Sequence, residues 1–285
     1  TASNNTAVGY KAGYSNTTGT KNNAFGRDSL YSNTTGTNNV ALGESALYSN
    51  TTASYNSSVG GESLATNTTG ANNVALGFSA LRSNTTASAN TAVGYQALTT
   101  NTTGGDNAAF GYQAAQSNTT GDYLTAIGRQ ALYNNTTADN NTAVGYQASY
   151  ASSTGASNTA VGWRALTSNT ASNNTSVGHQ SLYDNTTGSY NTAVGQSALE
   201  NNTTASYNIA VGYQAGYSNT TGAQNTIIGE TAGYSATTAI GNTFVGSDSG
   251  YLNTTGARNS FFGKNSGESI TTGSKNTILG SYNGN

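Results

Sequence analysis

The chain contains no cysteine, no proline and no methionine, and charged side chains make up only 7% of its 285 residues. A composition so poor in charge fits no ordinary globular enzyme. The missing cysteines leave the redox compartment open. The 9 basic and 11 acidic residues are scattered singly, for a net charge of -2, so there is no basic stripe to neutralise phosphates or anionic lipid. Nucleic acid and membrane surfaces are therefore disfavoured as partners. No apolar run is long enough to cross a bilayer, and no signal-peptide pattern opens the chain. It begins at Thr1, and both ends fall inside a repeat, which reads as a segment of a longer polypeptide.

The dominant feature is that repeat. A glycine following a large apolar residue recurs at Gly9, Gly26, Gly43 and onward in 17-residue steps to Gly162, then from Gly178 to Gly280 in the same steps. The one 16-residue step, Gly162 to Gly178, falls where Asn169-Thr170-Ala171 has lost a threonine. A typical copy is Asn191 to Tyr207. Such periodicity marks a stacked-repeat architecture with no internal boundary, so residues 1–285 read as a single tandem-repeat β-rod.

Counting from the glycine as position 0, the copies form a substitution table. Position −1 is always large and apolar (Val8, Phe25, Leu42, Val59 and onward to Leu279), which reads as core. Position −4 is asparagine in every copy but one, at Asn5, Asn22, Asn39, Asn56, Asn73, Asn90, Asn141 and Asn191 among others, with Leu124 the exception. Asparagine recurring beside β-branched residues and glycine predicts an inward amide ladder between stacked turns. Short T-A-V-G and A-L-Y-S pieces joined by Gly, Asn, Ser and Thr disfavour helix. A 17-residue coil has room for two strands of four or five residues and two turns, and 17 rungs at roughly 4.8 Å would make a rod of roughly 80 Å. The expected fold is all-β: a parallel β-solenoid or β-roll.

Position −2 is never charged either, being mostly Ala, with Ser58 and Ser176, and then Ile227, Phe244, Phe261 and Ile278. In that same late region position +4, usually Leu, becomes Gly216, Gly233, Gly250 and Gly267, each 11 residues before an enlarged −2 residue. Close packing trades volume in this way when two positions touch. Both faces of the strand then read as buried, and one coil offers only a thin core. Several chains side by side, as a homotrimer or filament, would bury the second face; a tightly filled single solenoid is the alternative.

Candidate chemistry is scarce, and no catalytic, cofactor or metal residue is assigned. His179, the only histidine, stands where other copies have Tyr10, Tyr95 or Trp163, so it reads as a surface variant with no triad around it. The carboxylates occupy different phases and do not recur in pairs, which argues against glycosidase and calcium sites. Each N-T-T triplet is a formal N-glycosylation sequon, but Asn-Thr followed by Gly or Ala satisfies a turn without sugar. Adjacent threonines fit an ice-binding array poorly. Tyrosines recurring at +5 (Tyr14, Tyr31, Tyr48, Tyr133, Tyr183, Tyr217) are the candidate glycan contacts, although aromatic ladders also stabilise β-rungs by themselves.

The string N-T-A-V-G-Y-Q-A-L-Y-S-N-T-T-G, nearly verbatim around Val93, Val144, Val194 and Val211, resembles repeats of bacteriophage tail-fibre proteins. More loosely it is similar to the A-I-G repeats of trimeric autotransporter adhesin heads. The resemblance implies a trimeric parallel β-roll shaft used in attachment, extracellular, on a cell surface or on a virion. The expected role is a structural fibre or filament segment supporting attachment to a host or surface. A binding surface for glycan or ice spread along the rod is the other function class.

Overall fold

A computed structural model describes residues 2–284. It forms two compact units, the first up to Asn141 and the second from Thr142. The first holds eight strands, β1 (Thr6–Val8) to β8 (Thr125–Ile127), and the second nine, β9 (Thr142–Val144) to β17 (Thr277–Leu279). Each unit is a parallel β-solenoid. Strands pair with their neighbours at the same phase of the repeat, as in Val40↔Ser57, Ala41↔Ser58 and Leu42↔Val59. The short copy keeps this register, Thr159 pairing with Thr175. Its missing residue is absorbed in the turn, where the Asn169 amide donates to the Ala171 carbonyl at 2.6 Å.

Each coil has one strand of three residues, where the composition suggested two of four or five. The remaining fourteen residues turn three left-handed corners. In the coil of Gly43 these are Ser45 (φ 56), Leu47 (φ 51) and Tyr55 (φ 63). Such corners break up a second strand, and each non-glycine one costs roughly 1–2 kcal/mol. Hydrogen bonds between coils offset that cost, because the corners and turns pair with neighbouring coils as the strands do. Ser45 N–H donates to the Arg27 carbonyl at 2.9 Å, Leu47 N–H to Ser63 at 3.0 Å, and Thr51 N–H to Thr68 at 3.1 Å.

The phase glycine is obligatory for two reasons at once. Gly94 has φ 138, and a Cβ there would lie 2.3 Å from the carbonyl oxygen of Gly111. The backbones of successive coils touch at this point, so a side chain would clash as well as strain the chain.

Six positions fill the interior: −4 Asn, −2 Ala, +3 Ala, +4 Leu, +7 Asn and +10 Gly or Ala. Position −1 is not among them, which overturns its reading as core. Phe25, Leu42 and Leu76 are 38%, 40% and 46% exposed, whereas Ala24, Ala41 and Ala75 beside them are buried. Side chains alternate across a strand, and the space inside one coil takes the alanine face. Only one strand face is buried within the chain. The volume trade follows from this packing: a Cβ on Gly233 would approach Phe244 to 3.0 Å, and one on Gly267 would approach Phe261 to 2.5 Å. Positions +4 and −2 share the interior layer.

Candidate binding and assembly surfaces

The amide ladder at −4 runs inside the coils. Asn39 N–H donates to Asn22 Oδ1 at 3.0 Å, Asn56 N–H to Asn39 Oδ1 at 3.0 Å, and the pattern continues through Asn73 and Asn90. In the second unit Asn191 N–H donates to Asn174 Oδ1 at 2.9 Å. Asn5, at the exposed first coil, accepts from Asn22 N–H. Each side-chain oxygen thus serves the backbone of the next coil, and each Nδ2 crosses the interior to the +10 carbonyl of its own coil. Asn39 reaches Ala53 in this way at 2.9 Å. Leu124 still donates its backbone N–H to Asn107 Oδ1 but offers no amide of its own. Asn141, in the coil that follows, donates from its Nδ2 to Asn135 Oδ1 at 3.2 Å.

A second ladder escaped the sequence reading. The asparagines of the N-T-T triplets are buried at +7, and their amides bond one another directly: Asn50 to Asn33 at 2.9 Å, Asn67 to Asn50 at 3.0 Å, Asn84 to Asn67 at 2.8 Å. Nearly all of them also donate to the same +10 carbonyl that the first ladder uses, as Asn50 does to Ala53 at 3.0 Å. An amide enclosed in this way is out of reach of glycosylation in the folded chain. Its signal in the sequence was recurrence at one phase, the same signal that marked position −4.

The serines at −2 have interior partners. Ser58 Oγ lies 2.5 Å from Ser63 Oγ, and Ser176 Oγ lies 2.5 Å from Ser181 Oγ, so each hydroxyl in the alanine layer is matched by a serine at +3.

The six candidate glycan contacts are divided between the two units. Tyr14, Tyr31 and Tyr48 stack in one column, with centroids 5.3 and 5.1 Å apart and planes 9° apart. Tyr217 heads another column, with Tyr234 and Tyr251 at 5.1 and 5.2 Å. Tyr133 and Tyr183 are half-buried in separate coils. At position +1 a further column holds Phe78, Tyr95 and Tyr112, and His179 lies against Trp163 at 4.6 Å. Rings packed in this way cover each other's faces.

On the outer strand face the −1 side chains form an apolar stripe, occupied by Val, Leu, Ile or Phe at all 17 copies. The neighbouring outer position +1 takes Arg27, Glu44, Gly61, Gln196 and Lys264 among its aromatics. Ion pairs are few and exposed, such as Arg27 with Glu44 and Arg82 with Glu62. No helix among the described residues is long and apolar enough to cross a membrane. No family model matches the sequence, and no curated protein matches it.

Proposed function

We propose that the chain is a structural fibre or filament segment, extracellular or virion-borne, whose copies lie side by side and support attachment to a host or surface. The apolar stripe at −1 carries this reading. A position facing only water drifts between charge, amide and ring, as +1 does; position −1 stays apolar in every copy although it is half-exposed or exposed. Contiguous apolar patches beyond a few hundred Å² mark interaction surfaces. Taking three residues of strand by one rung as roughly 50 Å², the outer strand face of each unit, which the −1 side chains share with position −3, offers roughly 400 Å², about half of what each partner buries in a standard interface.

A second copy of the chain is the occupant that fits. Within each unit the stripe repeats at the rung spacing, and a partner matching it rung for rung must share that spacing. Such assembly makes a stiff support from a thin-cored coil, and it requires no reactive side chain. Mass measurement in solution tests this. The native segment is expected as a trimer or larger filament, and Val194→Asp together with Val211→Asp as a folded monomer with unchanged circular dichroism. Ala193→Asp, one residue away but inside the coil, is expected to unfold its region instead, because it buries an unpaired charge. A monodisperse native monomer, indifferent to the two valine changes, would sink the proposal.

A further inference from the structure

The tyrosine column of the first unit is interrupted in a way that makes a slot. Tyr14, Tyr31 and Tyr48 occupy +5 of three successive coils, but the next coil has Ala65 there and the one after it Arg82. Tyr48 and Arg82 therefore stand two rungs apart, roughly 9.6 Å along the stack, with Ala65 at this phase of the coil between them. The gap is a groove of about 250 Å³ bordered by Tyr48, Ser49, Glu62, Ala65, Thr66 and Arg82. In the column below, each ring lies 5.1 to 5.3 Å from the next. One more ring set at that distance above Tyr48 would sit over Ala65 and leave a similar distance to Arg82.

The geometry points to a binding site for a single neutral pyranose ring. The outer face of Tyr48 is uncovered by any ring, and Tyr48 is 37% exposed. It offers an aromatic platform for the C–H face of a sugar. The edge of the slot is polar. Glu62 Oε2 holds Arg82 Nε at 2.9 Å and Ser79 Oγ at 3.3 Å, which leaves Oε1 to accept from a hydroxyl and the terminal Arg82 nitrogens to donate to one. Thr66 Oγ1 already donates to the Arg82 and Asn84 carbonyls, so toward a ligand it can only accept. Because the carboxylate and guanidinium neutralise each other, the slot favours a neutral sugar over an anionic one. A flat aromatic ring would stack equally well but leave the polar edge unused. Intact stretches of the columns lack such a site, since their ring faces are already paired.

A shallow site for one ring binds weakly, with a Kd on the order of millimolar. The probes are methyl gluco-, galacto- and mannopyranosides titrated against the folded segment, read by saturation-transfer NMR. At least one is expected to bind, with transfer strongest to its ring C–H protons. Ala65→Tyr fills the slot with the residue this phase already carries in Tyr31 and Tyr48, and it should abolish binding without lowering the melting temperature. Arg82→Ala, a change on the exposed surface, should weaken binding at least tenfold should the filled variant fold poorly. Glu200→Tyr, a ring added at the same phase in the second unit, should leave binding intact. Absence of binding by all three glycosides up to tens of millimolar, or undiminished binding in Ala65→Tyr, would overturn the assignment. Binding of phenol without any glycoside would overturn it too.

Discussion

At the scale of single residues, stability rests on amides that serve the coil above and their own coil at once. Asn73 donates its backbone N–H to Asn56 Oδ1 and its Nδ2 to the Ala87 carbonyl, and it accepts from Asn90 N–H. Asn73→Ala removes two of these bonds and strands the buried Asn90 N–H, while the Ala87 carbonyl keeps its bond from Asn84 Nδ2, an expected loss of about 1–3 kcal/mol in denaturant unfolding. The second ladder contains a natural gap that allows the reverse test. Ala236 occupies +7, and Asn219 Oδ1 and both polar atoms of Asn253, one coil to either side, lack partners. Asn253 shares its coil with Phe244, so an asparagine fits beside the enlarged interior residues. Ala236→Asn should reconnect the ladder and raise stability by about 1–2 kcal/mol, measured as a rise in melting temperature.

Asp184 gives a residue-level dependence on pH. Burial raises its pKa above the ordinary carboxylate value. The folded chain therefore keeps this proton to higher pH than the unfolded chain does. The resulting contribution to stability is fully present below the unfolded pKa and is lost as pH rises through the folded one. Asp184→Asn should melt at or above the native temperature at neutral pH, and the difference should close on acidification through the carboxylate range. A gap that widens in acid would contradict the burial effect.

At the scale of the coil, the parts legible in the sequence were those with a strict period. The 17-residue phase, the parallel stacking and the volume trade between Gly233 and Phe244 all follow from comparing copies. The orientation of the strand did not, because apolarity alone cannot distinguish a core from an outer face that other molecules cover. Leu42 and Ala41 are both invariably uncharged in type. What separates them is size: a coil whose interior also holds two asparagines and a leucine has room for alanine at −2 and none for phenylalanine or leucine at −1. The exceptions prove the geometry, since Phe244 and Phe261 enter only where position +4 shrinks to glycine. The second strand is lost for another reason. Leu47 and Ser45 are not residues that announce φ near +50, and only the inter-coil hydrogen bonds hold them there. Among the candidate contacts, the tyrosine phase was legible, but the open ring face at Tyr48 depends on Ala65 in the next coil, which single-position counting passes over.

At the scale of the whole molecule, each coil meets only its immediate neighbours, so stability behaves as a sum of coil terms and interface terms. Removing one complete copy, Asn191 to Tyr207, would bring Asn208 N–H to Asn174 Oδ1 and restore every ladder. Its melting temperature should stay within a few degrees of the native value. Removing half a copy from the same place, Asn191 to Leu199, puts the glycine contact and both amide ladders out of phase and should leave the surrounding coils unfolded by hydrogen exchange. The accepted loss of one residue at Asn169-Thr170-Ala171 shows that the turn can shorten by one without disturbing the register.

Most hydrogen bonds of corner, turn and strand run between neighbouring coils, and this sets how each unit responds to pulling along its axis. Within a junction the bonds bear load together, because Leu47, Ser49 and Thr51 are tied across at the same level as the strand. Between junctions the load passes in sequence, so tensile strength equals that of the weakest junction rather than the sum. The coils around Leu124, Ser152 and Ala236, where an amide ladder is broken, are then the expected points of first rupture. A molecule stretched by its ends should yield there while the fully laddered coils stay closed.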